Sequence, residues 1–254
     1  MPRVAREKSR TGIYHVMLRG INRQTIFEED EDRWRFLETL DKYKEVSQFE
    51  LYAYCLMDNH IHLLIKETEE SISVSIKRIS SSYVYWYNTK YERCGHLFQD
   101  RFKSEKVETK LSFLKVLRYI HQNPLKAGLA KTVFESSWTS IQEYIGKTHL
   151  ITVDKGLNLF HKDGEIALKQ FTAYMAEETE ERCLVDDAKT KLSDSQLKDY
   201  LRTLGFMDMN KLQHMKKEER DAILAGLKEL KGVSIRQISR ITGISKSVID
   251  RVGH

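Results

Sequence analysis

Long apolar runs are missing from this 254-residue chain, and with them any stretch of the roughly 20 residues that a membrane span requires. The first ten residues, "MPRVAREKSR", also lack the apolar segment of a secretory leader. The expectation is a cytoplasmic protein with no membrane partner. Cysteine is scarce, and Cys55, Cys94 and Cys183 stand far apart without a C-x-x-C spacing. That excludes a disulfide framework and a zinc knuckle and leaves reduced core or surface thiols. Proline is scarcer still, at two residues, beside 41% hydrophobic and 31% charged side chains. This balance belongs to a folded, helix-rich chain rather than a disordered or fibrous one.

What is present is an uneven charge. The net +5 is modest, yet between Arg93 and Lys131 nine lysines and arginines face only Asp100, Glu105 and Glu108. Rings run through and just before this tract: Tyr83, Tyr85, Trp86, Tyr87, Tyr91, Phe98 and Phe102. Cations for phosphates and rings for bases suit single-stranded nucleic acid. Further on, "AEETEERCLVDDAKT" is acidic and without apolar period, as a helix end and linker would be. The expected organisation is a basic domain over 1–150, a helical and acidic connector over 151–192, and a small helical domain over 193–254.

Within the first domain "GIYHVMLRG" reads as a strand ended by Gly20. A helix follows, with Trp34, Leu37, Leu40, Tyr43 or Lys44, and Val46 at helical spacing and acidic residues gathered at its start. "ELYAYCLM" and "HIHLLI" are strands joined by the turn Asp58–Asn59. Ile72, Ile76, Ile79, Tyr83 and Tyr87 mark a second helix, "HLFQDRFKSEKVE" a fourth strand, and "LSFLKVLRYIHQN" a third helix that Pro124 is expected to end near Asn123. This order predicts an α+β fold, a ferredoxin-like antiparallel sheet with helices on one face.

In "MDNHIHLLI" alternate residues share a face, so His60, His62 and Leu64 point one way and Ile61, Leu63 and Ile65 the other. Cα atoms two apart on a strand lie roughly 6–7 Å apart, close enough for two imidazoles to converge on one ion or phosphate. An isolated pair is more often the polar face of a half-exposed strand. On the third helix Tyr119 and Asn123, four residues apart, share a face. A helical tyrosine is more often a rim aromatic, and an asparagine before proline a cap. Two histidines, a phenol and an amide together in a basic domain favour a site. His121 lies far around the helix from Tyr119 and reads as a packed or surface histidine.

"MDNHIHLLI", "GHLFQDRFKSEKVE" and "LRYIHQNPLKAGL", in that order, resemble the single-tyrosine transposases of the IS200-like family, and the "YIHQNPLKAG" form is most similar to the REP-associated tyrosine transposase branch. The resemblance spans about residues 8 to 145. It implies the histidine-hydrophobe-histidine nuclease fold, with His60 and His62 as ligands of Mg²⁺ or Mn²⁺ and Tyr119 as the nucleophile. Asn123 takes the place of the third ligand, where relatives carry glutamine or another polar residue. It also implies a substrate, single-stranded or hairpin-forming DNA nicked and rejoined through a 5′-phosphotyrosine. Arg19, Asn22 and Arg23 match the family's strand-to-helix connection and Arg101 its "FQDRFKS" stretch. Lys103, Lys115 and Arg118 complete the expected DNA contacts of this domain.

Near the C-terminus "SIRQISRITGISKSVIDRV" carries a helix-turn-helix pattern: Ser239, the turn at Thr242–Gly243, Ile244 beneath it, and Ile249 and Val252 inward. Lys246, Ser247 and Arg251 then face outward. Duplex DNA is the first candidate partner of this unit, with protein contact or dimerisation next. The leading reading of the whole is a transposase-like nuclease and strand transferase, monomeric or homodimeric. Its rivals are a non-catalytic, sequence-specific DNA-binding regulator and a domesticated endonuclease that cleaves without rejoining.

Overall fold

The computed structural model describes residues 7–177, 194–206, 212–213, 215–230 and 233–252. The chain divides into two compact units, Met1–Leu184 and Val185–His254. The first runs β1 (Ile13–Arg19), α1 (Asp30–Ser47), β2 (Glu50–Met57), β3 (His60–Lys66), α2 (Ile72–Lys90), β4 (Lys103–Lys106) and α3 (Lys110–Lys126). The strands lie in the order β2-β3-β1-β4, with every neighbouring pair antiparallel. This is the expected ferredoxin-like α+β sheet. Among the described residues no helix is long and apolar enough to cross a membrane.

Both faces of the sheet are covered, where the sequence reading put the helices on one. Ile61, Leu63 and Ile65 are buried, and so are His62 and Leu64 from the opposite face. Leu18, paired with Ile61, lines a common cavity with Ile76 and Ser80 of α2; α3 lies on the other side, its Tyr119 ring against His15 and His62. Leu64 and Ala53 need such a cover, being apolar residues on the histidine face. On α2 the expected Ile72, Ile76, Ile79, Tyr83 and Tyr87 are all buried. On α1 the expected Leu40 is buried and Phe36 joins it, while Trp34 and Val46 are 60% and 54% exposed. Trp34 packs edge-on against Trp138 outside the core proper.

Two further boundaries differ from expectation. Only Lys103–Lys106 forms a strand, because residues 97–99 bond across the end of β1 through Ile21 N to Leu97 O and Gln99 N to Arg19 O. Gly20 allows the tight turn that follows β1, since a Cβ there would lie 2.2 Å from the Gln24 carbonyl oxygen. Helix α3 continues through Pro124 to Lys126; Pro124 sits in the last turn, and Ala127 N still closes on Asn123 O at 3.0 Å.

Beyond α3, α4 (Ile141–Ile145), α5 (Asp154–Leu157) and α6 (Gly164–Ala176) join the same core. Tyr144 of α4 stacks on Phe171 of α6 with ring centroids 4.6 Å apart. Residues 151–177, expected as connector, are therefore part of the first unit, and residues 178–193 lie outside the described residues. The connection also runs along β2, through Leu56 N to Trp138 O, Ser140 N to Tyr54 O and Thr152 N to Leu51 O. The second unit holds α7 (Asp194–Thr203), α8 (Lys217–Glu229), α9 (Ile235–Thr242) and α10 (Lys246–Arg251) around Leu197, Leu201, Leu224, Ile238 and Ile249. Gly243, at φ +70°, ends α9 in the left-handed conformation that favours glycine. Ile244 and Val252 are buried as the pattern requires.

Candidate active site

Strand register places three imidazoles on the face under α3. Arg19 stands opposite His60, Met17 opposite His62 and His15 opposite Leu64, so His15 is the diagonal neighbour of His62. The His15 Nε2 and His62 Nδ1 atoms are 2.9 Å apart and share one proton-mediated bond. The His60 and His62 ring centroids are 5.0 Å apart. From α3 the Tyr119 ring lies 5.6 Å from His62 and 5.7 Å from His15, edge to face in both contacts. One turn on, Asn123 Nδ2 donates to the Tyr119 carbonyl at 2.9 Å, and the Asn123 side chain lies beside His60. Lys126 Nζ sits 5.4 Å from the Tyr119 ring centroid.

The electrostatics keep the imidazoles neutral. Burial pushes His60 down to about 4, helped by the Arg19 guanidinium and opposed by the neighbouring Asn123 amide. His62 is held well below the ordinary imidazole range by burial first, then by His15 and His60. Burial alone takes His15 down to about 3. Near neutral pH each ring therefore keeps a lone pair, the state in which imidazole binds a metal. The His60 Nδ1 atom faces Asn59 Oδ1 at 2.6 Å, which makes Nδ1 the protonated nitrogen and frees Nε2. Among the described residues no three His, Cys, Asp or Glu side chains converge as a metal site. The donor set that fits a divalent cation is thus two imidazoles and the Asn123 amide oxygen, an open set with room for phosphate and water.

Of the other residues singled out in the sequence, Arg19 belongs to this cluster. Burial and then Arg23 lower its pKa, while Tyr119 acts in the opposite sense, so the guanidinium and the phenol sense one another. Asn22 and Arg23 form the turn after β1, both at positive φ. Arg101 lines the cavity between α2 and the 96–102 loop, away from the imidazoles. Lys103 is exposed on β4, and Lys115 is half-buried on α3. Arg118 corrects the expectation of a DNA contact. It is 5% exposed, lies 4.0 Å over the Tyr174 ring and donates to Glu177 at 2.9 Å. Its helix face turns toward α6, which the sequence reading did not place in this core. His121 is a packed histidine bonded to Ser140 Oγ at 2.9 Å. In the second unit Lys246, Ser247 and Arg251 are exposed along α10.

Three neighbours of the cluster escaped the sequence reading: His15, Asn59 and Lys126. For His15 the signal was the alternation in "IYHVMLR", which puts it on one face with Met17 and Arg19.

Residues 8–123, a little under half of the chain, match the family model described as "Transposase IS200 like". A solved structure of a REP-associated tyrosine transposase bound to a REP hairpin superposes with a TM-score of 0.51 at 18% identity, covering 61% of this chain and 90% of that one. A second, a crystal structure of a "putative transposase" from Deinococcus radiodurans R1, gives a TM-score of 0.35 at 16% identity over 48% of this chain and 97% of that one. No curated protein matches the chain.

Proposed function

We propose that this chain, which carries an IS200-like transposase domain over residues 8–123, nicks and rejoins single-stranded, hairpin-forming DNA through a 5′-phosphotyrosine at Tyr119. The observation that carries the reading is the Tyr119 ring against His62, with His60 and Asn123 beside it on the same side of the sheet.

His60, His62 and Asn123 would hold Mg²⁺ or Mn²⁺, which would supply Lewis acidity to the reacting phosphodiester. Tyr119 Oη bonds to phosphorus as the bond from phosphorus to the 3′-oxygen breaks. The phenolic proton goes to solvent and the 3′-oxygen takes one up, leaving a 5′-phosphotyrosyl protein and a free 3′-OH. Arg19 and Lys126 bring positive charge to the phenol and so favour the phenolate, whose ordinary pKa is about 10. Attack by another 3′-OH reverses the step and joins strands without ATP, because the covalent bond retains the phosphodiester's energy. The second unit offers Lys246, Ser247 and Arg251 on α10 to duplex DNA.

The test is incubation with end-labelled single-stranded hairpin DNAs and Mn²⁺ or Mg²⁺, beside Tyr119→Phe. The expected result is a metal-dependent, denaturant-resistant protein–DNA adduct that the variant does not form. Binding without adduct or cleavage across a broad pool of hairpins overturns the reading in favour of a regulator.

A further inference from the structure

The imidazole of His15 is buried on all sides, and its two nitrogens face different partners. Nε2 is 2.9 Å from His62 Nδ1. Nδ1 has no hydrogen-bond partner, and 4.0 Å from it stands the carboxylate of Glu105, the residue paired with His15 across β1 and β4. The bond between the two rings admits two arrangements of its proton. In one, His15 donates from Nε2. Its Nδ1 lone pair then faces a carboxylate, and the proton of His62 is displaced to Nε2, where it blocks that atom as a ligand. In the other, His62 donates from Nδ1. The His15 proton then sits on Nδ1 toward Glu105, and His62 Nε2 keeps its lone pair. A carboxylate attracts an N–H and repels a lone pair, so Glu105 selects the second arrangement.

We propose that His15 is a positioning residue for His62: polarised by Glu105, it accepts the His62 Nδ1 proton and so holds the His62 Nε2 lone pair ready for a divalent cation. The proposal rests on the reading of His62 as a ligand. Outer partners of this kind fix the tautomer and ring orientation of metal-binding histidines, and losing one typically weakens metal binding by about 10–100-fold. Glu105, half exposed on the edge strand, adjusts the device from solvent without entering the core.

The tautomer is read in the metal-free full-length protein by ¹⁵N imidazole NMR. The expected result is His62 protonated at Nδ1 and His15 protonated at Nδ1; a His62 proton on Nε2 overturns the proposal. This measurement needs no variant and no activity, so it stands even if no adduct forms and the nuclease reading fails. Titration with Mn²⁺, followed by the loss of its free EPR signal, gives the second arm. His15→Leu should weaken binding about 10–100-fold and His15→Gln, whose amide oxygen can accept from His62, should recover much of it. Glu105→Gln should weaken binding less than His15→Leu. Equal Mn²⁺ affinity in wild type and His15→Leu overturns the proposal.

Discussion

Asn123 reaches back one helical turn to donate from Nδ2 to the carbonyl of Tyr119 at 2.9 Å. The bond uses the amide nitrogen and orients the oxygen, which is the atom a cation needs. Asn123→Ala should therefore weaken Mn²⁺ binding by about tenfold or more, with little change in the fold. Asn123→Asp, which keeps an oxygen and adds a charge, should bind at least as tightly as wild type. Calorimetric titration of both variants checks this.

Arg118 and Lys126 flank the site on the same helix but face different surroundings. Arg118 is enclosed by Tyr174 and Glu177, whereas Lys126 is exposed and lies against the Tyr119 ring. Arg118→Ala should lower stability by about 1–3 kcal/mol through lost packing and pairing, and leave the salt dependence of DNA binding unchanged. Lys126→Ala should reduce the slope of log affinity against log salt by about 1 with stability unaltered. Urea unfolding and salt-series binding of both variants separate the two roles.

Asp32 has no exposed surface. Its carboxylate accepts from the backbone N–H of Glu28 and Glu29, from Tyr91 Oη and from Lys90 Nζ. Burial pushes its pKa up, but these donors together, Lys90 first, take it below the ordinary value. Asp32→Ala removes the carboxylate that caps the start of α1 and one of three acidic partners of Lys90, which keeps Glu29 and Glu31, for an expected loss of about 1–3 kcal/mol in chemical denaturation. Asp32→Asn should cost less, because the amide oxygen can still accept.

His121, two residues from Asn123 but packed against Ser140 and Tyr144, sets a pH dependence of its own. Burial depresses its pKa to about 3 from an ordinary 6.5. The unfolded chain then binds more protons than the folded one throughout that interval. Stability is therefore complete above about 6.5 and falls as pH drops toward 3, by up to about 1.4 kcal/mol per pH unit for this group. His121→Gln should flatten this part of the stability profile, and urea midpoints at pH 7, 6 and 5 measure the difference.

The strand β3 and helix α2 are legible because alternation in "HIHLLI" and the Ile72, Ile76, Ile79, Tyr83, Tyr87 spacing are local signals. His60, His62, Tyr119 and Asn123 were legible as a set for the same reason, each pair lying on one element. Trp34 lies outside and Phe36 inside because helical spacing alone cannot choose between these neighbours around Leu40; the packing of α2 decides which of them is covered. The surroundings of Arg118 were hidden because its partners, Tyr174 and Glu177, are 56 and 59 residues away in sequence. His15 went unnoticed for a similar reason, since its importance lies in a diagonal contact that only the register between β1 and β3 creates.

The backbone of residues 138–140 and 152 bonds along β2, and this has a consequence for assembly. The outer margin of that strand is spoken for by its own chain, so a foreign strand finds no open ladder there. At the opposite margin β4 is four residues long and carries Lys103 and Lys106, features that discourage edge-to-edge pairing. Growth of the sheet from one molecule into the next is thus discouraged at both ends. A homodimer of this protein is expected to join through helices or through its second unit, and its solubility at high concentration should depend on those two lysines.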